Sequence, residues 1–236
     1  MIVEAIKWGF RKVGLDVHKL YQPPENRFKW LQEFNIKTII DVGANRGQFA
    51  FAIQPFFPLA NVYCFEPQME VAFKLCKEIQ SRKLFGCMSV FPFALGDFNG
   101  RANMNAAKNT TDTSMLEMTE YFSEIYKKPH LAPGFSTKVC RLDDVVIPVV
   151  PELMIKLDVE GYEMNVINGA GRTIDKAKII YSEVTFHKER YVGQYIFDEF
   201  YNIIRSKGFE CLGFSQVYYH YRSGAPYYAD AVFVRK

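Results

Sequence analysis

Apolar and polar positions along the chain switch repeatedly between two periods, and that switching predicts alternating strands and helices. Lys37 to Val42 carries Ile39, Ile40 and Val42 and ends at a glycine turn, so it is predicted as a strand. Gly47 to Phe57 is predicted as a helix closed by Pro58, and Asn61 to Phe65 as a second strand. The next helix opens at Pro67, where a missing N–H costs little, and its predicted buried stripe is Ala72, Leu75, Cys76 and Ile79. Ser89 to Leu95 is predicted as a third strand.

From Gly96 to Pro133 the pattern dissolves into Asn, Thr, Lys and Met. Two readings stand for this stretch: a binding loop, or a pair of short exposed strands. Regularity returns with strands predicted at Thr137 to Leu142, Glu152 to Leu157 and Lys178 to Val184, and a short helix at Tyr162 to Ile167. Ile196, Phe200, Ile203 and Ile204 mark one face of a helix that stops at Gly208. Phe209 to Phe214 and Ala231 to Val234 close the chain as strands with no helix between them, which predicts an antiparallel strand at the end of the sheet. Before all this, Val3, Ile6, Phe10 and Val13 alternate with Lys7, Arg11 and Lys12 at helical spacing. That segment is expected to dock on its own domain, weak peripheral membrane contact through residues 1–13 being the alternative. A short helix around Phe28 to Phe34 follows the break at Pro23 and Pro24.

The implied architecture is α/β: a mostly parallel sheet with helices on both faces and an antiparallel strand near its end. Residues 1–35 form a helical extension and residues 36–236 the main domain, with an insertion at about 98–135. Ligands on such sheets sit beyond the C-terminal strand ends, which is where chemistry is sought.

Composition narrows the function. With 49% hydrophobic and 23% charged residues the 236-residue chain has enough apolar surface for a packed core. A formal net charge of +3, with no basic tract, gives no footing for nucleic-acid binding. Five cysteines, Cys64, Cys76, Cys87, Cys140 and Cys211, include no CxxC pair and are read as the reduced thiols of a cytoplasmic protein. No apolar run is long enough to span a bilayer, and Glu4, Lys7, Arg11 and Lys12 interrupt any signal-peptide core.

The first strand runs into Asp41-Val42-Gly43-Ala44-Asn45-Arg46-Gly47. Gly43 permits a sharp turn and Gly47 opens a helix whose dipole faces the ligand. Asn45 stands where a dinucleotide fingerprint requires its second glycine, which weakens a nicotinamide-dependent oxidoreductase reading. The second strand ends at Glu66, placed to grip ribose hydroxyls. Asp41 and Glu66 suit an adenosine ligand with a positive tail and no phosphates. Asp97 is either an adenine contact or a plain turn residue.

At the reacting end, Asp158 and Glu160 follow one strand and would point the same way from an extended backbone. Glu183 ends the next, with His187 four residues on. All four are candidate acid–base residues, and His187 is equally read as a surface residue. Glu160 has the second reading of an acid at a helix start. Asp158 and Glu183 could alternatively share a divalent cation. Lys156, inside an apolar run, requires a buried carboxylate partner such as Glu183 or Asp41.

The pieces Ile40 to Gly47, Phe65-Glu66-Pro67, Ala94-Leu95-Gly96-Asp97 and Lys156 to Glu163, together with Asn168-Gly169-Ala170, resemble the FkbM-type methyltransferases. The resemblance implies a Rossmann-like class I methyltransferase fold with a seven-stranded sheet, and S-adenosyl-L-methionine as methyl donor. It further implies O-methylation of a hydroxyl on a sugar, glycan or natural-product precursor. By resemblance Asp41, Gly43, Ala44, Asn45, Gly47, Glu66 and Pro67 are cofactor contacts, with Ala94 and Asp97 near adenine. The poorly matching region from Ala102 to Leu131 is expected to hold acceptor specificity. A non-catalytic nucleotide-binding adaptor is the remaining alternative, and the intact set Asp41, Glu66, Asp158, Glu160 and Glu183 speaks against it.

Overall fold

The computed structural model describes residues 27–106, 113–125, 132–187, 190–220 and 223–236, with residues 8, 10, 12 and 13. The expected helix at residues 1–13, and its membrane alternative, fall for the most part outside the described residues. Among the described residues no helix is long and apolar enough to cross a membrane.

The elements in chain order are β1 (Thr38–Val42), α1 (Gln48–Ile53), β2 (Asn61–Phe65), α2 (Met69–Ser81), β3 (Met88–Phe91), β4 (Ala94–Leu95), β5 (Gly100–Met104), α3 (Glu120–Ile125), β6 (Phe135–Cys140), β7 (Leu153–Leu157), α4 (Glu163–Asn168), α5 (Gly171–Ile174), β8 (Ala177–Thr185), α6 (Phe197–Ser206), β9 (Phe209–Tyr219) and β10 (Pro226–Arg235). Seven strands form one sheet in the order β3-β2-β1-β7-β8-β10-β9, with β10 antiparallel to both neighbours. This is the predicted architecture, and the two closing strands prove to be one long hairpin.

Alternation within each strand supplies two cores. Ile40, Val42, Ile155, Leu157 and Ile180 face α4, α5 and α6, whereas Ile39, Val62, Met154 and Ile179 face α1 and α2. Phe28 and Leu31 from a 3-10 turn at Lys29–Phe34 belong to the second core and are almost fully buried. Burying one such side chain contributes roughly 1.5–3 kcal/mol, which anchors this part of the extension to the domain. The buried face of α2 is Val71, Ala72, Leu75 and Ile79; Cys76, expected in that stripe, is exposed. The helix begins at Met69, so Pro67 precedes it rather than opening it.

The third predicted strand is split. Pro92 has no N–H for the ladder, so β3 stops at Phe91 and the chain crosses into a separate sheet. There Ala94–Leu95 pairs with β6, and β6 pairs antiparallel with β5. Short strands thus account for part of the weakly patterned stretch.

Candidate active site

A cavity of about 430 Å³ opens at the C-terminal ends of β1, β2, β7 and β8. Its volume lies within the ~300–1,000 Å³ usual for small-molecule sites. Gly43, Ala44, Asn45, Glu66, Pro67, Ala94, Asp158, Glu160 and Glu183, all proposed from sequence, line it. Asp41, Gly47, Asp97 and His187 do not.

The four outliers have other work. Asp41 is fully buried and sits opposite Lys156 in the β1–β7 register, 3.1 Å from its ammonium. Lys156 also reaches Asp158 at 3.3 Å and donates to the Gly43 carbonyl at 3.1 Å. The sequence offered Asp41 or Glu183 as partner; Asp41 and Asp158 hold it. Burial works against the ammonium, but the two carboxylates outweigh it and raise the Lys156 pKa. Burial likewise lifts Asp41 above its ordinary range, against the pull of Lys156. Asp41 therefore lies beneath the cavity floor. Gly47 has φ +82°, a conformation that side-chain-bearing residues rarely adopt, and a Cβ there would lie 2.6 Å from Leu75 and Phe51. Asp97 accepts hydrogen bonds from Asn165 at 3.1 Å and Tyr162 at 3.4 Å, tying its loop to α4. His187 is exposed, its backbone N–H held by Thr185.

Gly43 has φ +75°, and a Cβ there would lie 1.9 Å from the Asp158 carbonyl oxygen. Only glycine lets the loops after β1 and β7 approach so closely. The loop from Gly43 to Gly47 spends its N–H groups internally. Gly43 and Ala44 donate to the Phe65 carbonyl, Asn45 to Glu66, Arg46 to the Gln48 side chain, and Gly47 to the Ala44 carbonyl. A diphosphate needs such donors turned outward. Glu66 is fixed from two sides, accepting from Asn45 N at 2.9 Å and Gln68 N at 2.8 Å. Burial pushes its carboxyl up to about 7, against those two donors.

The loop after β7 is not extended, as the spacing of Asp158 and Glu160 had suggested. Glu160 has φ +54°, and the acid that opens α4 is Glu163, whose carboxylate accepts from Val159 N at 3.1 Å and Gly161 N at 3.2 Å. Asp158, Glu160 and Glu183 still converge, one carboxylate oxygen of each lying within 4.8 Å of the others. Arg190 joins Glu160 to Glu183, and Tyr191 donates to Glu160 at 2.9 Å. Burial, helped by Glu160 and Asp158, holds Glu183 well above the carboxylate range despite Arg190. The insertion reaches the same point: Ser114 donates to the Glu160 carbonyl at 2.6 Å, and Met104, Thr113 and Met115 line the cavity.

Sequence reasoning missed Arg190 and Asp230. Arg190 sits in the Lys188-Glu189-Arg190 run, which reads as a surface. Asp230 is the one charged residue between Pro226 and Val234 in the closing strand, the signal that could have found it.

Sheet order and cavity placement together define a class I methyltransferase fold. A family described as the methyltransferase FkbM domain matches residues 41–211, and the chain belongs to that family. The chain is 30% identical over 166 residues to 2-O-methyltransferase NoeI of Sinorhizobium fredii (strain NBRC 101917 / NGR234), covering 66% of each chain. It also resembles a crystal structure of methyltransferase FkbM from Methylobacillus flagellatus KT, with a TM-score of 0.54 and 14% identity over 85% of this chain and 44% of that one. The chain thus spans just under two thirds of its curated relative and less than half of the solved one.

Proposed function

We propose that the protein is an enzyme that transfers the methyl group of S-adenosyl-L-methionine to a hydroxyl of a sugar, glycan or natural-product precursor. The observation that carries this reading is the loop from Gly43 to Gly47. Its N–H groups are all engaged within the protein beside a buried carboxylate, which favours a phosphate-free nucleoside over a dinucleotide. Family membership supports the donor, and the 2-O-methyltransferase relative supports oxygen as the methylated atom. The nicotinamide-dependent oxidoreductase reading lacks both supports.

The residues present fit the donor. Glu66 would hold the ribose hydroxyls, flanked by Gly43 to Asn45, Pro67 and Ala94. When bound, S-adenosyl-L-methionine supplies a methyl carbon already activated by its sulfonium. Asp158, Glu160 and Glu183 outnumber the cations beside them and favour a positively charged guest. Met104, Thr113 and Met115 from the insertion close the cavity where an acceptor enters, which supports the specificity role of residues 98–135. Alignment of donor and acceptor in this closed space supplies much of the rate.

A screen of isotopically labelled donor against glycans and glycolipid precursors, with mapping of the labelled atom, tests the reading. Label on a hydroxyl oxygen is expected. Label confined to nitrogen, or no transfer to any hydroxyl acceptor, contradicts it.

A further inference from the structure

The register of the sheet sets three carboxylates abreast. Leu157 pairs with Ser182, so Asp158 comes beside Glu183, and Glu183 pairs directly with Asp230 on β10. Like charges directly opposite each other across a strand pair cost stability. For two of the three the chain supplies a cation: Lys156 for Asp158 and Arg190 for Glu183. Asp230 has no ion-pair partner among the described residues. It accepts a hydrogen bond from the Tyr181 hydroxyl at 3.3 Å, a group that also contacts Ser215. Asp230 nevertheless lines the cavity, at the end opposite Glu66 across the sheet order.

We propose that Asp230 is the general base of the methyl transfer, taking the proton of the acceptor hydroxyl at the β8–β10 end of the cavity. This rests on the methyltransferase reading above. The alternatives are engaged or remote. Asp158 carries Lys156, Glu160 and Glu183 share Arg190, and His187 lies outside the cavity. A carboxylate that is costly to keep and left uncompensated in a cleft marks a functional group. Tyr228, two residues before Asp230, stacks on Tyr218 with ring centroids 4.4 Å apart and carries the Arg190 guanidinium 4.8 Å from its ring centre, so both rings line this end of the cavity.

The step balances. The acceptor proton passes to a carboxylate oxygen of Asp230 as the acceptor oxygen's lone pair closes a C–O bond on the donor methyl carbon. The C–S bond breaks with its electron pair left on sulfur, so the sulfonium becomes a neutral thioether. The proton on Asp230 then passes to solvent.

Burial and Asp158 lift the Asp230 carboxyl to about 6, against the Tyr181 hydrogen bond and the more distant Lys156 and Arg27. Glu183 on β8, Tyr218 on β9 and Tyr228 on its own strand are the other titratable groups facing it. A base with this value is ionised and useful near neutral pH.

The test is Asp230→Asn. The expected result is a fall in kcat of about 100-fold or more, loss of the acidic limb near pH 6, and S-adenosylhomocysteine affinity within about twofold of the parent. A raised KM with unchanged kcat, or unchanged kinetics, overturns the assignment. A second readout needs no turnover. Because the folded protein holds the Asp230 proton more tightly than the unfolded chain, its stability falls as pH rises from about 4 to 6. Asp230→Asn should therefore raise Tm at pH 8 and leave it unchanged at pH 3.5; equal values at pH 8 contradict an uncompensated charge. If the parent protein methylates no hydroxyl, the reading of the whole site falls and the base with it. If the parent transfers and the variant keeps its kcat, only the base is lost.

Discussion

Replacing Arg190 with methionine removes the guanidinium that joins two carboxylates while keeping a long apolar stem. The side chains of Arg190, Glu160 and Glu183 are 7%, 9% and 12% exposed, so both acids would be left buried without the cation that joins them. Removing one partner from a buried pair costs about 3–5 kcal/mol. For a domain of this size that is a fall in Tm of roughly 6–20 °C. The loss depends on pH with a definite sign. Glu183 already stands well above its ordinary range, so the folded state binds more protons than the unfolded chain and stability falls as pH rises. Removing Arg190 raises Glu183 further, so the deficit is largest at pH 8 and shrinks toward pH 5. Adding Glu183→Gln to Arg190→Met should recover part of it, since the two changes share one network. Thermal and urea unfolding at the two pH values provide the assay. A Tm shift under about 3 °C at pH 8, corresponding to roughly 1 kcal/mol, or an equal deficit at both pH values, refutes the reasoning.

Gly43→Ala forces a Cβ to within 1.9 Å of the Asp158 carbonyl oxygen at a backbone of φ +75°, so the β1 and β7 loops must separate. The expected loss is about 2 kcal/mol or more of stability together with donor affinity, read by unfolding and calorimetry; parent-like values in both would contradict the close approach. His187→Ala should leave methyl transfer within about twofold of the parent, since general acid–base groups contribute ~100-fold or more and His187 does not line the cavity. A large loss of kcat would return it to the chemistry.

Much of the fold was legible because β1, β2, β7 and β8 are apolar runs bounded by turns, and β–α alternation predicts that such strands pair parallel. Part of the cavity lining was legible for the same reason: Gly43, Glu66 and Asp158 each stand at a strand end. Sequence could not show that strand alternation turns Asp41 onto the α1 face opposite Lys156, a pairing between residues 115 positions apart. It could not show that Arg190 folds back from the loop after β8 into the acidic cluster, since that loop also pairs with the insertion through Met118 and Tyr191. Nor could it show that Asp230 lies opposite Glu183, because the register of a closing hairpin is set by pairing and bulges rather than by composition. The break at Pro92 is masked in the sequence by the apolar run that continues on both sides of it.

The central claim is that the Glu66 carboxylate receives the ribose of a phosphate-free donor. Calorimetric titration with S-adenosylhomocysteine between pH 6 and 8 tests it most directly. Glu66 is pushed up to about 7, and hydroxyls donate to its ionised form, so affinity should rise across that interval. Glu66→Gln should bind about 10–100-fold more weakly and lose the pH dependence. Binding that is flat with pH and unchanged by Glu66→Gln would contradict the account, as would tight binding of a nicotinamide dinucleotide in its place.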